Sequence, residues 1–115
     1  MQPTFVTFAL AAAGLLSVPS VFATPGERLD IESACPRIHE VLPEHLESAA
    51  RRLQRNGVVE VRLTLRGDRI VEVMPVSGPA PYFGPVRFAV RHLHCRVEQA
   101  QEQAFFFRIA FIAGE

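Results

Sequence analysis

The stretch that most constrains the fold of this chain lies near its middle, at residues 57–76. Apolar and polar side chains alternate there: Val59, Val61, Leu63 and Leu65 are separated by Glu60, Arg62 and Thr64. A period of two is typical of a strand that buries one face and exposes the other. Gly67-Asp68 then interrupts the pattern, and a second β-branched segment follows over residues 70–76. Two such segments joined by a Gly-Asp turn predict a β-hairpin.

The turn leaves two registers open for the second hairpin strand. A two-residue turn would place Glu72 on the buried face. A three-residue turn or a bulge would instead point Val71 and Val73 inward and Glu72 outward, and we favour this version because burying an unpaired carboxylate is costly. Pro75 lacks an N–H, so we expect the second strand to lie at an edge of the sheet.

Three further segments complete a predicted α+β domain over residues 42–113. Helical spacing of apolar residues predicts helices over 42–55 and 85–94, and alternation predicts a last strand over 104–112. We expect a three-stranded antiparallel sheet in which the last strand pairs with the first hairpin strand. The strand order is then 2-1-3 in order of appearance, with both helices on the apolar face. A mixed sheet with the last strand beside the second is the alternative.

The N-terminal part of the chain has the composition of a targeting segment. Residues 1–23 carry no charged side chain, and they end in Val21-Phe22-Ala23, which suits signal peptidase. We predict a signal peptide over 1–23, an N-terminal arm over 24–41 and a periplasmic mature protein. An uncleaved inner-membrane anchor formed by residues 1–23 is the alternative.

In an exported protein, the two cysteines, Cys35 and Cys95, can form a disulfide. An oxidising compartment permits a disulfide, and no other cysteine competes for either partner. We therefore predict a Cys35–Cys95 bond.

Charge and motif content disfavour several classes of function. Basic and acidic residues balance at twelve each, which argues against nucleic-acid binding. The sequence holds no nucleophile motif or phosphate-binding loop, and we predict neither an enzyme nor a cofactor. We expect Glu60 and Glu72 to pair across strands with Arg62 or Arg108. His92, His94 and the cysteines support an alternative, a metal-binding or redox-sensing envelope protein, although residues 92 and 94 would point to different faces of a helix.

A series of short motifs resembles the C-terminal domain of TonB and its periplasmic relatives. The matching motifs are Leu42-Pro43, residues 56–61, residues 67–73, Ser77-Gly78, residues 89–93 and the Phe-rich residues 105–111. TonB docks a short receptor peptide against its last strand. The resemblance therefore implies a periplasmic protein-binding module, linked to envelope transport, whose partner is an envelope protein or peptide.

The last strand is the predicted recognition edge. An end strand exposes unpaired N–H and C=O groups that can template another strand. Phe106, Arg108, Ala110 and Ile112 would lie on its face away from the core, and Arg108 would add a charge-assisted contact to an acidic partner. The N-terminal arm or a second copy of the chain, as a homodimer, are alternative occupants of this apolar stripe.

Overall fold

The computed structural model describes residues 6–12, 27–98 and 100–113. The elements are β1 (Val6–Ala12), α1 (Ile31–Ala34), α2 (Ile38–Leu53), β2 (Gly57–Arg66), β3 (Arg69–Ser77), a 3-10 turn (Ala80–Tyr82), α3 (Phe83–Arg91) and β4 (Gln103–Ala113). Most of the predicted signal peptide, including its proposed cleavage site, lies outside the described residues. No helix in the described part of the chain has the length and hydropathy needed to cross a membrane.

The sheet is antiparallel and has the order β1-β4-β2-β3. Its β2, β3 and β4 strands are the three predicted from the sequence, and β4 pairs with β2 as expected. The α+β fold and the predicted order of these three strands are therefore confirmed. β1 is an additional strand, formed by residues within the predicted signal peptide, and it pairs with the outer edge of β4.

The β2–β3 hairpin contains a bulge. Gly67 adopts the left-handed backbone of a tight turn, with φ at 60°, and the register shifts beside Leu65. Glu72 lies opposite Thr64, away from the core, as predicted. The expectation for Val71 was wrong: it is the extra residue of the bulge and is exposed, and Ile70 occupies the inward position opposite Leu65.

α2 begins earlier and ends earlier than its sequence pattern predicted. Ile38 and Leu42 are both buried on the same face, and burial of Ile38 extends the helix to that residue. Pro43 therefore lies inside the helix rather than in its first turn. The helix ends at Leu53 because the next residue, Gln54, adopts the left-handed conformation, with φ at 50°.

Tyr82 links the end of α2 to the start of α3. Its hydroxyl donates to the Arg55 carbonyl (2.7 Å) and accepts from the Arg55 N–H (3.2 Å). Its ring stacks on Phe111 of β4, with 3.8 Å between ring centroids. These contacts fix α3 against the sheet and place its first residue at Phe83.

Within the described residues, one hydrophobic core lies between the sheet and the helices. The inward residues of β2 and β4 form its floor: Val59, Val61, Leu63, Leu65, Phe105, Phe107, Ile109 and Phe111. The predicted Cys35–Cys95 disulfide is present and buried at the edge of this core. It joins the end of α1 to the segment that follows α3, where the Arg96 N–H also donates to the Ala34 carbonyl (2.9 Å).

Candidate functional site: the outer edge of β4

The outer edge of β4 is the side of the strand that faces away from β2. Two hydrogen bonds define which backbone groups point there: the Phe106 N–H donates to the Arg28 carbonyl (2.9 Å), and the Arg28 N–H donates to the Ala104 carbonyl (2.8 Å). Successive residues of a strand direct their N–H and C=O groups to opposite sides. The even-numbered residues therefore present their backbone groups outward, and Ile109 and Phe111 present theirs to β2.

This outer edge accepts extended chain along most of its length. β1 runs antiparallel to β4, with Val6 opposite Ala113 and Ala12 opposite Phe107. Further along the edge, Arg28 forms a parallel bridge with Phe105. The edge predicted to be unpaired is thus paired with two segments from the N-terminal part of the same chain.

The four predicted site residues lie in one row on the sheet face opposite the core. Phe106 is fully buried, Ile112 is exposed, and Arg108 and Ala110 are partly buried. The backbone amides of all four point to the outer edge. The row therefore combines outward hydrogen-bonding groups with largely apolar side chains.

Arg108 is held by the neighbouring strand. Its Nε donates to Glu60 Oε2 (2.9 Å), and the Ser77 hydroxyl donates to Glu60 Oε1 (2.7 Å). Glu60 is only 7% exposed, so this is a partly buried, charge-assisted network across three strands. The expected cross-strand pairing of Glu60 is confirmed. Glu60 therefore already binds the Arg108 guanidinium, which we expected to contact an acidic partner.

Two residues of the predicted arm, Glu27 and Arg28, hold the chain against this edge. Glu27 forms an ion pair with Arg62 of β2 (2.9 Å), and the Glu27 side chain is buried. The Arg28 guanidinium lies over the Phe105 ring, 4.8 Å from its centroid. Sequence reasoning missed both residues, because no local periodicity marks a chain segment that is ordered only by contacts to a distant strand.

Asp30 fixes the Arg28 side chain. Arg28 donates to both carboxylate oxygens of Asp30 (3.0 and 2.7 Å), and the Ser33 hydroxyl donates to Asp30 Oδ2 (2.9 Å). The hydrogen bonds from Arg28 and then from Ser33 lower the pKa of Asp30 to about 2, against the opposing effect of desolvation.

The lowered pKa predicts an acid-dependent loss of stability. The carboxylate of Asp30 binds its proton less readily in the folded chain than in the unfolded chain, so its contribution is complete above about pH 4 and disappears as the pH falls toward 2. We expect Asp30→Asn to be slightly less stable at neutral pH and to lose less stability between pH 4 and pH 2. Urea unfolding at several pH values measures both effects, and parallel pH profiles for the two proteins would contradict this assignment.

The histidines and cysteines do not converge on one site. His92 contacts Phe88 and His45, whereas His94 lines a groove beside the disulfide. Both cysteines are consumed by that disulfide. Within residues 6–12, 27–98 and 100–113, no group of three or more His, Cys, Asp or Glu side chains is arranged to hold a metal ion.

Comparisons of the chain with protein-family models, with curated proteins and with solved structures find no match to it. The likeness to the C-terminal domain of TonB stays a prediction from the motifs. The molecule defined by its own geometry is a disulfide-bonded α+β domain whose sheet edge accepts extended chain.

Proposed function

We propose that this chain is a small protein-binding module of the bacterial envelope. It acts in the periplasm and binds an extended segment of an envelope protein by strand addition to the outer edge of β4. One observation carries the proposal: this edge already pairs with a seven-residue strand, β1, drawn from outside the α+β core.

β1 indicates which kind of segment fits the edge. It is extended, antiparallel to β4 and uncharged, with the sequence Val-Thr-Phe-Ala-Leu-Ala-Ala. Removal of residues 1–23 on export would take β1 away and leave the outward amides of Arg108, Ala110 and Ile112 without backbone partners. Unpaired backbone groups at an apolar edge favour the addition of another strand. A partner segment would then take the position of β1 in the mature protein.

The disulfide and the sequence motifs support the compartment and the class of partner. A buried disulfide is compatible with an exported protein, because such bonds persist in oxidising compartments. The TonB-like motifs add a link to transport across the envelope. A metal-binding or redox-sensing role gains no comparable support, because the cysteines form a buried disulfide rather than free thiols.

The test uses residues 24–115 and a synthetic peptide with the sequence of residues 6–12, made soluble by a charged tag. We expect the peptide to bind and the same peptide carrying Ala9→Pro to bind at least about tenfold more weakly. Ala9 lies opposite Ala110, and proline there removes a hydrogen bond of the ladder. Calorimetric titration measures both affinities.

Equal binding of the two peptides, or no binding by either, would show that the edge does not recruit strands. The mass of residues 24–115 in solution serves as the control for self-association. A dimer that the peptide dissociates would identify a second copy of the chain as the occupant of the edge.

A further inference from the structure

The outward face of α3 combines positive charge with an exposed aromatic ring. Arg87, Phe88 and Arg91 are exposed, as is His92 directly after the helix, and α3 itself contains no acidic residue. Phe88 is 58% exposed, the highest value among the large hydrophobic side chains of the described residues. We call these four residues the α3 face. α3 packs over β3, at the far end of the sheet from the outer edge of β4.

Phe88 is held in place by two histidine rings. The His92 ring lies 4.3 Å from it, and the His45 ring of α2 meets it edge-on at 6.1 Å. His45 and His92 also stack on each other at 4.7 Å. His92 Nδ1 lies 2.8 Å from the Phe88 carbonyl oxygen and donates to it. The exposed Phe88 ring is therefore packed against the rings of His45 and His92.

The charges of the α3 face have no counterpart within the described fold. Arg87 and Arg91 are four residues apart on one helix, a spacing at which like charges destabilise the helix. Neither forms an ion pair with a described residue. The arginines that do form ion pairs among the described residues are Arg28, Arg37, Arg51, Arg62, Arg66 and Arg108. An anionic ligand outside the chain would neutralise the pair.

We propose that the α3 face binds the surface of a membrane that contains anionic phospholipid. Phe88 enters the headgroup region, and Arg87 and Arg91 bind lipid phosphates, which match the planar fork of a guanidinium. Peripheral binding of this kind needs only a few cations and a shallow apolar insertion. A stable protein partner would need about 800 Å² of interface per side with an apolar centre, whereas this face offers one large apolar side chain. Membrane attachment goes beyond strand addition and leaves the β4 edge accessible.

A tryptophan at position 88 reports insertion directly, because the chain contains no Trp. The full chain carrying Phe88→Trp is mixed with vesicles of phosphatidylcholine alone or of phosphatidylcholine with phosphatidylglycerol. We expect a blue shift of Trp emission only with the anionic vesicles. The matched control is Met74→Trp on β3, where the native side chain is 41% exposed, and its emission should not shift.

The control is needed because the apolar N-terminal segment can itself partition into lipid. The readout is therefore the emission of the Trp at position 88, not total vesicle binding. Arg87→Gln and Arg91→Gln should each weaken vesicle binding about fivefold, as loss of one cation near an anionic surface predicts. Arg69→Gln in the hairpin turn is the charge-matched control and should have little effect. These variants are read by vesicle sedimentation, which does not depend on the Trp variant.

Three results of the vesicle experiments would overturn the proposal. They are the lack of a blue shift with anionic vesicles, an equal shift for Met74→Trp, and equal weakening by Arg69→Gln. A blue shift produced by soluble poly-glutamate in place of lipid would likewise overturn it, and would assign the α3 face to an acidic polypeptide.

Discussion

Loss of the Cys35–Cys95 disulfide is expected to lower the free energy of unfolding by about 4 kcal/mol. The two residues are separated by 60 positions, so the bond closes a long loop and restricts the unfolded chain strongly. It also joins α1 to the segment after α3 at the margin of the core. For a domain of this size, the melting temperature should fall by roughly 15 °C or more.

The Cys35→Ser/Cys95→Ser double variant tests this expectation by thermal and urea unfolding. The wild-type protein with its disulfide reduced is the matched control, because it keeps the sulfur atoms and loses only the bond. Both proteins should shift by similar amounts. Unchanged unfolding midpoints would mean that packing, rather than the covalent link, holds α1 in place.

Two neighbouring proline substitutions in β4 should have opposite consequences. The Ile109 amide faces β2, and its side chain is buried in the core, so Ile109→Pro breaks the central ladder and should unfold the domain. The Ala110 amide faces the outer edge, where proline is tolerated in a sheet. We expect Ala110→Pro to keep the fold and to bind the strand peptide at least about tenfold more weakly, because proline provides no edge N–H.

Circular dichroism and peptide titration on residues 24–115 separate the two effects. Folded Ala110→Pro with unchanged peptide affinity would contradict strand addition. Unfolding of Ala110→Pro would show that the outer edge has a structural role even when β1 is absent.

Alternation along the sequence was enough to predict the central sheet. In β2 and β4 every second residue is buried in one core. Pairing these strands places their apolar residues on the same side of the sheet, where the predicted helices can cover them. The position of the bulge was harder to predict. Val71 and Ile70 are both β-branched and apolar, and only the register against Leu65 decides which of them faces inward.

β1 could not be predicted because its sequence does not alternate. A predominantly apolar, uncharged segment is compatible with a signal peptide, a membrane anchor or a buried strand. Its pairing with β4 joins the two ends of the chain, and no local pattern encodes such a contact. The same applies to Glu27 and Arg28, whose positions depend on Arg62 and on the edge of β4.

Hydrogen exchange of the β4 amides in residues 24–115, with and without the peptide of residues 6–12, tests strand addition most directly. Without the peptide, the amides of Arg108, Ala110 and Ile112 should exchange rapidly, whereas those of Phe107, Ile109 and Phe111 should be protected by β2. With the peptide, the even-numbered amides should become protected and the odd-numbered amides should change little. Protection confined to other segments, or even-numbered amides that stay fast at saturating peptide, would contradict binding at the outer edge of β4.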